Sequence, residues 1–248
     1  MENPKDYGFN SQLIHYSGHH DAFGAATVPI YQTSTFAFES AQDGADCFAG
    51  VKPGYMYTRI GNPTVKALER QVALLEHACD SVAVASGMAA VSTVYLGLLN
   101  AGDHVVSSSA VYGASRVLME QHMSRFGVES TYVNTANLEE VKAAMRPNTK
   151  MLYVETPANP TMEISDIAAC AEIAHKAGAL LVVDNTFCSP YLSNPIDFGA
   201  DVVLHSITKF INGHADIVGG IVAAKEPEVY AKLRNAMVNF GGNMDPHQ

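Results

Sequence analysis

The chain has little positive charge. Of its 248 residues, 15 are Lys or Arg and 25 are Asp or Glu, so its formal net charge is −10. Proteins that bind nucleic acids or anionic membrane surfaces do so through clustered basic residues. The acidic balance therefore argues against both kinds of partner, and any positive group that matters is expected to lie inside a site.

Long apolar runs and paired cysteines are also missing. The N-terminal segment, MENPKDYGFNSQ, is polar and lacks the apolar core of a secretory signal. No run of about 18 apolar residues occurs, so no transmembrane helix is predicted. The four cysteines are widely spaced, without a Cys-x-x-Cys pair. This pattern indicates free thiols in a reducing compartment, and we expect a cytoplasmic protein.

Motifs for nucleotides and metals are absent as well. The sequence contains neither Gly-x-Gly-x-x-Gly nor the phosphate loop Gly-x-x-x-x-Gly-Lys-Ser/Thr, which makes an NAD-binding protein a poor alternative. The histidines His19, His20, His205 and His214 do not have metal-ligand spacing. They are expected to be surface residues or to support a site from behind, and no metal is predicted.

After residue 60, short apolar segments alternate with helical ones. The predicted strands are 81–85, 104–108, 129–134, 151–155, 180–184, 202–205 and 220–224. They are nearly continuous in apolar character, as in a sheet covered on both faces. Strands that alternate with helices predict an α/β fold with a doubly wound, mostly parallel, seven-stranded sheet.

The first predicted helix begins at Asn62-Pro63, a capping residue followed by proline at the first helical position. The further predicted helices are 88–99, 114–126, 138–145, 164–177 and 227–240, and Ser165 or Asp166 is expected to start the fourth of them. Residues 1–60 show no strong period, so we expect an extended segment that lies over a neighbouring molecule. Residues 61–248 are expected to form one large α/β domain.

Chemistry-bearing residues follow several of these strands. Ligands of open α/β sheets bind at the carboxyl ends of the strands. Gly87 opens a helix there, whose free N–H groups can bind an anion. Asp184 could keep a ring nitrogen protonated, and Lys209 could form a Schiff base. Ser206 and Thr208 could bind phosphate, and these requirements together are those of pyridoxal phosphate.

Two further residues fit the same site. Tyr112 follows the second strand, where its phenol could stack on a flat ring, although a core tyrosine has the same pattern. Asn159 follows the fourth strand and could bond a ring oxygen of the cofactor, although Asn-Pro is also a turn sequence.

Longer motifs add a resemblance. They are VPIYQTSTFAF (28–38), YMYTRIGNPT (55–64), SGMAA, VYGAS, ETPANPT, VVDNTF and HSITKFINGHADIVGG. With these the chain resembles the cysteine/methionine-metabolism group of fold-type I pyridoxal phosphate enzymes. That group includes methionine γ-lyase, cystathionine γ-synthase and γ-lyase, and O-acetylhomoserine sulfhydrylase.

The resemblance implies a role for each matching position. Lys209 would hold the cofactor covalently and move protons, and Asp184 would pair with the pyridine nitrogen. Asn159 would bond the ring hydroxyl. Tyr112 would stack on the ring and assist departure of the γ-substituent.

The resemblance also implies phosphate ligands and a subunit arrangement. The ligands expected within the chain are Gly87, Met88, Ser206 and Thr208. Tyr57 and Arg59 would reach the phosphate of a neighbouring subunit, and the bidentate geometry of arginine suits that contact. The implied assembly is a homotetramer built from dimers that share active sites.

The implied activity is γ-elimination of a sulfur amino acid, and the closest match within the group is to methionine γ-lyase. However, Ala114 stands where that enzyme has cysteine, which favours γ-replacement or related carbon–sulfur chemistry as the alternative. Members of the group continue into a small C-terminal domain with a carboxylate-binding arginine, which is absent from this chain. A cofactor-binding fragment without catalysis is therefore the second alternative.

Overall fold

A computed structural model describes residues 6–15 and 23–248, so the predictions for His19 and His20 lie outside the described residues. Its centre is one seven-stranded sheet. The strands are β1 (Asp80–Val84), β2 (His104–Ser108), β3 (Glu129–Val133), β4 (Thr149–Glu155), β5 (Leu180–Asp184), β6 (Val202–His205) and β7 (Gly220–Ala224). Each lies within two residues of its predicted bounds.

The strands lie in the order β1-β7-β6-β5-β4-β2-β3. The pairs from β6 through β5, β4 and β2 to β3 are all parallel. Only β7 runs in the opposite direction, antiparallel to both β1 and β6. The predicted mostly parallel α/β sheet is therefore confirmed.

Helices connect and cover the strands. They are α1 (Phe9–His15), α2 (Ala41–Phe48), α3 (Pro63–Leu75), α4 (Gly87–Leu98), α5 (Gly113–Val117), α6 (Leu138–Ala144), α7 (Ile167–Lys176), α8 (Ser189–Leu192) and α9 (Pro227–Phe240).

The sheet is buried on both faces. Val82 and Leu204 belong to one core cluster, which includes residues of α4 and α9. Val183 and Val203 point to the other face, into a cluster with residues of α6 and α7. Because neighbouring residues of each strand enter opposite cores, the strands read as continuous apolar runs.

Side chains set where the helices begin. Asn62 accepts a hydrogen bond from the Thr64 N–H at the start of α3, as predicted. Helix α7 begins at Ile167, three residues after the predicted bound, with Asp166 as its cap. Asp166, one of the two residues expected to start this helix, accepts from the Ala169 N–H at 3.0 Å, and its extended backbone leaves the residues before it outside the helix.

The predicted helix 114–126 is not one α-helix. After α5 the chain continues as a π-helix over Leu118–His122 and a 3-10 helix over Met123–Phe126. Met119 and Met123 are both buried. The side of the segment that was predicted to face the core therefore does so, although its backbone hydrogen bonds are not those of an α-helix.

The described part of residues 1–60 contains two short helices that the prediction lacked. Ser40 caps α2 by accepting from the Asp43 N–H at 3.1 Å, a cap-like sequence pattern that could have revealed this helix. Part of this segment lies on its own chain, since the Thr64 hydroxyl donates to the Pro29 carbonyl at 2.8 Å. Its predicted contact with a neighbouring subunit stays a prediction.

Two kinds of feature are absent from the described residues. No helix in residues 6–15 and 23–248 combines the length and the apolar character needed to cross a membrane. Within the same ranges, no three His, Cys, Asp or Glu side chains are grouped as metal ligands would be. All four cysteines are free.

Candidate active site

A cavity of about 270 Å³ opens at the carboxyl ends of β4, β5 and β6. It brings together residues that are far apart in the sequence but follow neighbouring strands. The predicted site residues that line it are Gly87, Met88, Tyr112, Asn159, Asp184, Ser206, Thr208 and Lys209.

One end of the cavity is the start of α4. Ser86 caps this helix by accepting from the Ala89 N–H at 3.0 Å. The first-turn N–H groups of Gly87 and Met88 have no acceptor within the helix. A Cβ atom at Gly87 would lie 2.7 Å from the Cβ of Ser206 and 2.8 Å from its Oγ. Glycine therefore lets the serine hydroxyl approach the helix start, and together they form a cradle for an anion.

The neighbouring strand packs closely behind this cradle. The Thr208 hydroxyl lies between the carbonyl and the N–H of Gly219, at 3.2 and 3.0 Å. A Cβ at Gly220 would lie only 2.2 Å from the Ser86 carbonyl oxygen. The backbones of β7 and of the turn at Ser86 therefore approach more closely than any residue with a Cβ atom would permit. This close approach sets the position of the anion cradle relative to the sheet.

The carboxylate of Asp184 is 9% exposed and is held by neutral donors. Its Oδ1 accepts from the Thr186 backbone N–H at 3.1 Å and from the Thr186 hydroxyl at 2.5 Å. Its Oδ2 lies 3.4 Å from the Tyr153 hydroxyl. Burial raises the pKa of Asp184, while the bonds from Thr186 oppose this rise. A cation within the cavity would favour the ionised form.

Lys209 lies on the turn that follows β6, and its backbone N–H donates to the Ser206 carbonyl at 3.1 Å. Its side chain lines the cavity and is exposed. Throughout the described part of the chain, no side chain forms an ion pair with its ammonium. The amine is therefore available to a ligand in the cavity.

Sequence reasoning missed Glu155, which lies between Tyr112 and Asn159. This carboxyl accepts from the Tyr112 backbone N–H at 2.6 Å and from the Asn159 backbone N–H at 3.0 Å. Burial, and next the charge of Asp184, raise the pKa of Glu155 to about 7. The available signal was an acidic residue at the end of an otherwise apolar strand.

Tyr57 and Arg59 do not reach this cavity within the chain. They line a separate cleft that also includes Asn243 and Asp245. The Arg59 guanidinium lies 5.6 Å from the centroid of the Tyr57 ring, and it also donates to the Val238 carbonyl.

His205, expected to be a surface or supporting residue, is completely buried. Its Nε2 lies 2.6 Å from Oε1 of Glu76, which also accepts from the Asn185 amide at 3.0 Å. The surface interpretation is therefore wrong for His205, because the residue is the last of buried strand β6 and lies on the face opposite to that of Leu204. His214 is exposed, and its Nδ1 contacts the Asn212 carbonyl at 2.8 Å.

The chain is similar to several known proteins. The model of the family described as Cys/Met metabolism PLP-dependent enzyme matches residues 10–248. The L-methionine gamma-lyase of Porphyromonas gingivalis is 45% identical over 96% of this chain and 60% of its own length. The cystathionine gamma-lyase of Bacillus subtilis is 46% identical over 90% of this chain and 56% of its own length.

A solved structure shares the fold. The crystal structure of metB from Corynebacterium glutamicum has a TM-score of 0.92 and 42% identity, and it covers 99% of this chain. The chain spans about 60% of the length of these relatives.

Proposed function

Because the chain belongs to the Cys/Met metabolism family of PLP-dependent enzymes, we propose that the protein binds pyridoxal 5'-phosphate in the cavity at Lys209. There it would catalyse elimination or replacement at the γ-carbon of a sulfur amino acid. The observation that carries this proposal is the convergence of an anion cradle, a buried carboxylate and an unpaired lysine on one cavity.

The residues present fit the cofactor. The cradle formed by Gly87, Met88 and Ser206 suits a phosphate, with Thr208 beside it. The hydrogen-bond donors of buried Asp184 in the described chain are the neutral groups of Thr186 and Tyr153, and a protonated pyridine nitrogen would add a cationic donor from the cavity. Asn159 would donate to the ring hydroxyl, as expected from the sequence.

When bound, the cofactor would supply an electron sink for a substrate that has lost its α-proton. Lys209 would hold the cofactor through its amine and, once displaced by the substrate amine, would remove the α-proton. Asp184 would keep the ring nitrogen protonated by its negative charge. Tyr112 would stack on the ring and give a proton to the departing γ-substituent.

The finer substrate assignment is L-methionine, which with water would yield methanethiol, ammonia and 2-oxobutanoate. Relatives named for two different substrates match with nearly equal identity, 45% and 46%. Ala114, which stands where cysteine is expected for a methionine enzyme, favours γ-replacement on an activated homoserine as the second candidate.

A neighbouring subunit would complete the site. Tyr57 and Arg59 lie outside the cavity of their own chain, so we propose that they bind the phosphate in a second copy of the chain. Residues 1–60 would then lie across a subunit interface, while 61–248 form the cofactor-binding domain. The proposed assembly is a homotetramer.

The cofactor proposal is tested by borohydride reduction of the purified, cofactor-treated protein, followed by digestion and mass spectrometry. A pyridoxyl-phosphate adduct is expected on Lys209 and should vanish in Lys209→Ala. Lys225→Ala is the matched control, since Lys225 follows buried strand β7 at the opposite edge of the sheet. An adduct absent from Lys209, in folded wild-type protein, would refute the proposal.

The two substrate assignments are separated by supplying L-methionine alone and then O-acetylhomoserine with sulfide. Release of 2-oxobutanoate from methionine supports elimination. Homocysteine formed only in the second assay supports replacement, and would overturn the methionine assignment.

A further inference from the structure

Glu155 connects two loops that carry residues of the proposed site. It is the last residue of β4 and is 3% exposed. Its Oε2 accepts from the Tyr112 N–H at 2.6 Å, at the end of the loop after β2. Its Oε1 accepts from the Asn159 N–H at 3.0 Å, in the loop after β4 itself. Each carboxylate oxygen thus holds one loop.

The other backbone bonds of Tyr112 are local to its own helix. Tyr112 precedes the first residue of α5, and its carbonyl accepts from the Ser115 and Arg116 N–H groups at 2.9 and 3.2 Å, while its side chain provides no cap for that helix. Across the described ranges, the Tyr112 phenol and the Asn159 amide group form no side-chain hydrogen bond, and both residues are exposed. The bonds to Glu155 therefore tie the backbones of Tyr112 and Asn159 to strand β4 and to each other.

A carboxylate in this place is costly. Burial of an ionised group is unfavourable unless it is paired or hydrogen-bonded. In the described residues Glu155 has no ion-pair partner, and its register partner on β5 is a second carboxyl, Asp184. The other titratable groups near it are Tyr153 on β4, and Tyr112 and Lys209 on the cavity wall. Core packing does not explain a carboxylate at this position. The two backbone N–H groups that need acceptors do explain it, because each carboxylate oxygen accepts from one of them.

We infer that Glu155 is a positioning residue, which fixes the ring-stacking Tyr112 and the ring-binding Asn159 at the distance that the cofactor requires. The inference rests on the proposed function, because the site residues acquire these roles only there. Ionised Glu155 holds both loops, whereas protonation turns one oxygen into a hydroxyl donor that no longer accepts well. The anchor is therefore strongest above about pH 7, since burial and Asp184 raise the pKa of Glu155 to about 7.

The test compares Glu155→Gln with the wild type. The carboxamide has nearly the same shape, but its NH₂ group faces one of the two backbone N–H groups instead of accepting from it. Glu163→Gln is the matched control, because Glu163 is exposed in the same loop as Asn159. Hydrogen exchange is measured on peptides that contain Tyr112 or Asn159, first without cofactor. Pyridoxal phosphate is then titrated, and the circular dichroism of its absorption band is recorded from pH 6 to 8.5.

For Glu155→Gln we expect faster exchange in one or both loops and at least a ten-fold weaker cofactor affinity, which corresponds to about 1.4 kcal/mol. In the wild type the cofactor dichroism should weaken as the pH falls below about 7, while in Glu155→Gln it should stay constant. The control should behave like the wild type. If Glu155→Gln matches the control in exchange, affinity and dichroism, the inference is refuted.

Two further outcomes remain decisive. A wild-type protein that does not bind the cofactor would overturn the proposed function, while exchange in the cofactor-free protein would still test the anchor. If Glu155→Gln does not fold, the inference is tested by hydrogen exchange in the wild type, measured across pH 7 and corrected for the intrinsic pH dependence of exchange. Protection of both loops that does not change across pH 7 would contradict the inference.

Discussion

Substitution of Gly87 by alanine tests the anion cradle directly. The added Cβ would lie 2.7 Å from the Cβ of Ser206 and 3.2 Å from its Cα, whereas ordinary contact begins at 3.4 Å. The helix start or the turn after β6 must therefore move by about 0.7 Å, because these Ser206 atoms cannot rotate away. Overpacking of this kind costs roughly 1–3 kcal/mol.

We expect part of this free-energy cost to lower the stability of the folded protein and the rest to weaken cofactor binding. A displaced Ser206 no longer meets the phosphate, so we expect the affinity for pyridoxal phosphate to fall by about one to two powers of ten. The melting temperature of the cofactor-free protein should fall by about 2–4 °C for each kcal/mol that appears in folding. Fluorescence titration and calorimetry measure the two parts.

Gly113→Ala is the matched control. Gly113 is also the first residue of a helix, and a Cβ there would have no neighbour within 4 Å. It should therefore be neutral or slightly stabilising. If Gly87→Ala binds cofactor and melts as Gly113→Ala does, the cradle does not depend on close contact with Ser206, and the reasoning is wrong.

Three other substitutions have defined outcomes. Gly220→Ala places a Cβ 2.2 Å from the Ser86 carbonyl, and we expect at least about 3 kcal/mol of lost stability in urea unfolding; a loss below 1 kcal/mol would contradict this close approach. Leu204→Ala removes a side chain that is 1% exposed, and should cost about 2–5 kcal/mol in the same assay. Ionisation strengthens the two N–H bonds of Glu155, but burial and the charge of Asp184 outweigh them and raise its pKa from an ordinary 4.5 to about 7, so the folded protein as a whole loses stability as the pH rises from 4.5 to about 7. Wild type should therefore lose more stability than Glu155→Gln between pH 5 and 8, and equal losses would show that this carboxyl is not buried as described.

Much of the fold could be predicted from local patterns of apolar and capping residues. Short apolar runs separated by helical periods predicted seven strands within two residues of their ends, because burial on both faces leaves few polar residues in a strand. Helix caps such as Asn62 are local chemistry, so the start of α3 was predicted as well. The predicted helix 114–126 failed in its detail, because apolar spacing indicates the buried side of a helical segment but does not distinguish an α-helix from the π-helix and 3-10 helix found over 118–126.

Local pattern was sufficient to predict which residue types follow each strand, and because parallel strands share a carboxyl edge, Asp184 and Lys209 were expected to meet there. It could not determine which neighbouring atoms complete the site. Gly87 and Ser206 are 119 residues apart in the sequence, and Glu155 is 43 residues from Tyr112 but only four from Asn159. Whether these residues meet depends on strand order and register. His205 likewise has the same strand-end position as the site residues, yet it points to the opposite face and pairs with buried Glu76. These contacts become visible in the folded chain, because alternate residues of a strand face different cores and the sequence does not specify what lies opposite them.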